Sequence, residues 1–93
     1  MRKIVFIGTE NPTWNYNKIK SLIEGLEGTT HLVGRTAGGN EAYLFTIMQE
    51  VYWVDKFNVA AEINYRNAES HLKVGFFGRL EDIEQLEKIV ATQ

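Results

Sequence analysis

Lys3 to Ile7 is a run of β-branched and aromatic residues closed by Gly8, the pattern of a strand buried on both faces. After Asn11-Pro12-Thr13-Trp14-Asn15, Ile19, Leu22, Ile23 and Leu26 fall at helical spacing from about Tyr16, with Gly28 placed to end that helix. Thr29 to Val33 has high β propensity and is stopped by Gly34, so the first third of the chain reads β-α-β. Residues 41–55 carry two signals. Leu44, Ile47, Met48, Val51 and Val54 recur with a helical period, which favours a helix, whereas the aromatic and β-branched content suits a strand. On the strand view, Leu32 to Thr36 and Ala42 to Ile47 form a hairpin around Ala37-Gly38-Gly39-Asn40. Asn58 to Ile63 predicts a strand, Asn64 to Ser70 a polar connection, Leu72 to Phe77 a further strand and Leu80 to Val90 a closing helix.

The order β-α-β-α-β-β-α, with near-continuous apolar strands, predicts a small three-layer α/β domain of Rossmann-like type with helices on both faces of the sheet. The alternative, if residues 41–55 are strand, is an α+β antiparallel sheet with helices on one face.

Length and composition narrow the classes. Ninety-three residues, 44% of them hydrophobic, suffice for one core and one domain. The lack of cysteine excludes disulfides and thiolate metal sites and leans toward a cytoplasmic setting. The apolar start is too short for a signal segment, and no stretch approaches the roughly 20 apolar residues of a membrane span. A net charge of −2 with both signs interspersed argues against nucleic acid as a partner.

Candidate chemistry gathers at Gly34-Arg35-Thr36-Ala37-Gly38-Gly39-Asn40. At the carboxyl end of a second strand and leading into a helix, such a segment offers exposed amides to an anion, with Arg35 able to grip phosphate. Gly8, Thr9 and Glu10 end the first strand on the same edge, and the Trp14 ring could stack on a base. The plainer alternatives are a glycine-bearing turn, a solvated arginine and a tryptophan packed over the end of the sheet.

The stretches Ile7-Gly8-Thr9-Glu10-Asn11-Pro12-Thr13-Trp14 and Val33 to Ala42 resemble the YspA-type branch of the SLOG superfamily. Gly34 and Gly38 correspond to two family glycines, Thr36 to an alanine and Asn40 to an aspartate. Arg66-Asn67 resembles the pair that opens the family's next helix, and Val74 to Gly78 its last core strand. The resemblance implies a Rossmann-like domain associated with nucleotides or nucleotide-derived signals, held by the loops after strands one and two, with Arg66 as a further contact. Arg35 stands at a family glycine, Asn40 replaces the acid, and the Pro-Gly-Gly-x-Gly-Thr loop of catalytic members has no counterpart. Binding without catalysis is therefore the expectation, with no catalytic residue and no cofactor assigned.

Two other functions remain open. One is a protein-interaction or inhibitor module, or a homodimer, using the aromatics Tyr43, Tyr52 and Trp53. The other is a nucleotide N-glycosidase using Glu10 and Glu41. His31 and His71 lack Asp, Glu or Cys at ligand spacing, so no metal site is expected.

Overall fold

A computed structural model describes residues 2–9, 15–38, 46–66 and 71–92 of the chain. Five strands and two helices follow in the order β1 (Arg2–Thr9), α1 (Tyr16–Glu24), β2 (Thr29–Gly38), β3 (Thr46–Val54), β4 (Val59–Arg66), β5 (His71–Phe77) and α2 (Leu80–Thr92). A 3₁₀ turn, Asp55–Phe57, joins β3 to β4, closed by Asn58 in the left-handed region at φ 54°.

The strands make one sheet, in the spatial order β1-β5-β4-β3-β2, and every neighbouring pair is antiparallel. This overturns the parallel, three-layer Rossmann-like arrangement, and with it the fold implied by the SLOG resemblance. The decisive segment is β3. Residues 46–54 are strand rather than helix and pair with β2 from Thr29↔Val54 to Gly38↔Thr46. The helical period of Ile47, Met48, Val51 and Val54 arises because β3 carries apolar side chains on both faces while Glu50 interrupts the alternation on one of them. Residues 41–45, where the predicted helix began, lie outside the described residues.

Both helices pack on a single face. Tyr52 and Val54 of β3, Val59, Ala61 and Ile63 of β4, and Leu72, Val74 and Phe76 of β5 alternate along their strands and are fully buried. They form one cluster with Tyr16, Ile19 and Ile23 of α1 and Ile83, Leu86 and Val90 of α2. Asn15 caps α1 by accepting Lys18 N–H at 2.8 Å, and Gly28, at φ 80°, turns the chain into β2. Among the described residues, no helix covers the opposite face of the sheet, and none is long and apolar enough to cross a membrane.

Candidate binding face

The antiparallel order moves the predicted ligand site. The strands β1 and β2 run in the same direction but form the two edges of the sheet. Their carboxyl ends, Thr9 and Gly38, are therefore about 19 Å apart, four strand spacings of roughly 4.8 Å. In a β-α-β unit these ends would be close neighbours; here three strands separate them. Glu10, Trp14, Gly39 and Asn40 lie outside the described residues, as do Glu41 and Tyr43. Gly8 and Thr9 pair with Leu72 and His71. Gly34, Arg35, Thr36 and Gly38 lie within β2, where no helix start is available to present backbone amides.

Gly34 has a packing role instead. A Cβ built there would lie 2.7 Å from His31 Cε1 and 3.0 Å from Glu50 Oε2. The missing side chain leaves room for His31 Nε2 to approach Glu50 Oε2 at 2.5 Å, while the Tyr16 hydroxyl donates to Glu50 Oε1 at 3.0 Å. Glu50 is 7% exposed and is the one buried charged side chain among the described residues. The Tyr52 hydroxyl donates to Glu24 Oε2 at 2.7 Å, and the His31 ring stacks on Tyr52 with centroids 4.7 Å apart. Burial first, then the bond to Glu50 and the charges of Glu50 and Glu24, push the Tyr16 hydroxyl up to about 12. Tyr52 rises in the same sense, through burial and then through Glu24. This network pins α1 to the β2–β3 hairpin. It also puts Tyr52, expected on a partner surface, inside the core. His31 does meet a carboxylate, across the hairpin rather than at a sequence spacing, but no group of three or more metal-ligating side chains exists among the described residues.

The uncovered face holds the other candidates. Pairing registers define its rows. Lys73 of β5, Asn64 of β4, Gln49 of β3 and Arg35 of β2 stand opposite one another across the sheet. One row toward the β4–β5 end come His71, Arg66, Ile47 and Ala37. In the opposite direction lie Gly75, Glu62, Val51 and Val33, then Phe77, Ala60, Trp53 and Thr30. Two of the predicted ligand contacts, Arg35 and Arg66, are thus brought onto one surface, by the sheet rather than by loops. Lys73, His71, Asn64 and Gln49 join them.

A cavity of about 130 Å³ opens here, lined by Ile47, Asn64, Tyr65, Arg66, His71 and Lys73. Glu62 is the one acid on the described part of this face, and its Oε1 accepts from Asn64 Nδ2 at 2.5 Å. Trp53 Nε1 donates to Asp55 Oδ1 at 3.4 Å, which holds the indole at the far end of the face. A second hollow, of about 300 Å³, lies between Glu27, Gly28, Asp55 and Lys56, where the two carboxylates leave little attraction for an anion.

Of the polar residues on this face outside the predicted contacts, Asn64 falls in the predicted connection, although Glu62, Asn64 and Arg66 alternate with the buried Ala61 and Ile63, a period-two signal that runs through Arg66. No protein-family model, no curated protein and no solved structure matches this chain.

Proposed function

We propose that the protein is a binding module that holds a phosphate-bearing, nucleotide-type ligand on the uncovered face of its sheet. One observation carries this reading: in a chain of net charge −2, Arg66, Lys73 and His71 converge with Asn64 on a cavity, and Arg35 continues the cationic row to the sheet's edge. Guanidinium and ammonium groups supply charge-assisted bonds to phosphate, and the Asn64 and Gln49 side chains can donate to further oxygens. Strand positions in a five-stranded sheet also hold these groups more firmly than loops would. Of the aromatics in the partner-protein reading, Trp53 is the one that the described residues place on this face, because Tyr52 is buried and Tyr43 lies outside them.

Calorimetric titration with ATP and with a phosphate-rich oligonucleotide tests the proposal. Binding is expected for at least one of them, weakened about tenfold or more when Lys73 and Arg66 are both replaced by alanine, a loss of the size expected for two charge-assisted contacts. A folded protein that binds neither ligand refutes it.

A further inference from the structure

We infer that the ligand of this face is a single strand of nucleic acid rather than a free mononucleotide; the inference rests on the reading just given and narrows it. The first ground is shape. Sites that enclose a small molecule are clefts of about 300–1,000 Å³. The cavity among the cations is about 130 Å³, and the surface around it is the open face of a sheet. It has room for a phosphate or the edge of a sugar but not for a whole nucleotide out of water. A ligand that binds well here must collect contacts over the breadth of the face.

The second ground is the distribution of chemistry. Lys73 and Arg35 are three strands apart, about 14 Å, with Asn64 and Gln49 between them. That distance spans roughly two phosphate-to-phosphate steps of an extended strand. The aromatic row lies four residues further along, about 13 Å at the rise of a strand. There Phe77 and Trp53 flank Ala60 in register, and the Phe77 ring lies beside Gly75. Cations that track a backbone, beside flat rings on which bases stack, are the requirements for binding single strands without reading sequence. A duplex, with its bases stacked internally, would leave Trp53 and Phe77 unused.

Net charge does not oppose this assignment once the charges are located. On the far side of the sheet, the α2 sequence Leu-Glu-Asp-Ile-Glu-Gln-Leu-Glu-Lys-Ile-Val-Ala-Thr carries four acids against one lysine, and α1 carries Lys18 and Lys20 against Glu24. The uncovered face carries Arg35, Arg66 and Lys73 against Glu62. Among the described residues the helical layer and the uncovered face are therefore of opposite sign.

Fluorescence anisotropy with labelled twelve-residue oligo-dT and oligo-rU, with unlabelled ATP and a twelve-base-pair duplex as competitors, decides the matter. The expected result is binding of at least one single strand, with ATP and duplex at least about tenfold weaker and a log–log salt slope near −2, as three neutralised phosphates would give. Lys73→Ala should flatten that slope by about one unit at most, and Trp53→Ala should weaken binding by about fivefold or more. Lys18→Ala, on exposed α1, should leave binding unchanged. Glu62→Gln should tighten it, a gain that damage to the fold would not produce. If ATP binds as tightly as the single strands, the inference falls while the nucleotide reading stands; if nothing binds, both fall. Equal binding of the duplex, or indifference to both Trp53→Ala and Glu62→Gln, also overturns the inference.

Discussion

His31 and Glu50, nineteen positions apart, meet across the β2–β3 hairpin at 2.5 Å, and they meet over a glycine. Register would put their strand neighbours, not themselves, opposite one another: His31 pairs with Tyr52 and Gly34 with Glu50. A bulge between His31 and Val33, which leaves Leu32 out of the ladder, brings the imidazole over Gly34.

The first prediction concerns that contact. In Gly34→Ala the new methyl would require the His31 ring to swing away, so unfolding in urea should show a loss of about 1–3 kcal/mol. His31→Ala should cost about 1–2 kcal/mol through the lost bond to Glu50. The double variant should be more stable than the sum of the two losses implies, because the clash needs both residues. Strict additivity would show that the glycine does not serve the contact between His31 and Glu50.

Alkaline pH should unpin α1. The Tyr16 pKa is raised from 10.0 to about 12 by burial and by Glu50. A raised folded value means that the neutral hydroxyl's contribution is complete below pH 10 and is lost as pH climbs through the range up to about 12. Tyrosinate absorbance should show two of the four tyrosines, Tyr16 and Tyr52, titrating late, and the urea midpoint should fall across the same range. Glu50→Gln should bring Tyr16 part of the way back, since burial remains the larger cause.

The two faces of β3 and β4 should respond differently to substitution. Ile63 is fully buried beneath the helices, and Ile63→Ala should cost about 2–5 kcal/mol. Val51, on the uncovered face, tolerates Val51→Thr within about 0.5 kcal/mol in the absence of ligand. Similar losses at the two positions would mean that the second face is covered in solution, and sedimentation would then reveal a dimer.

Helix α1 begins at a side-chain cap, so Asn15→Ala should cost about 1 kcal/mol and Asn15→Asp should restore most of it, as read by thermal denaturation.

Much of this architecture could be read from local pattern. The strand near Lys3 to Ile7, the start of α1 near Tyr16, β5 and α2 all announce themselves by period and punctuation; α1, β5 and α2 each bury one consistent set of side chains. The segment from Ile47 to Val54 does not. Its two faces are both partly apolar, one against helices and one open, and Glu50 stands among core residues because Tyr16 and His31 satisfy it. That satisfaction is tertiary, so no local rule anticipates a charge there. The consequences are large: a helix in place of β3 makes the sheet parallel, brings β1 and β2 together and turns Gly34 to Asn40 into a phosphate loop. Arg35 and Arg66 are recognisable in the sequence as potential anion contacts, but their common surface depends on a strand order that only pairing reveals.

That strand order also bears on how the chain assembles. From β2 through β5, each strand pairs with the next one in sequence, so the ladder can zip up through short-range closures. β1 is different: Arg2 meets Phe77 from the other end of the chain. Docking it closes a loop that encloses nearly the whole sequence, at an entropic cost that no short turn offsets. The four-stranded meander is therefore the natural nucleus and β1 the last strand to arrive. Substitutions at Ile63 or Val74 should slow refolding, whereas weakening β1 should chiefly hasten unfolding, a kinetic asymmetry between the ends of the chain.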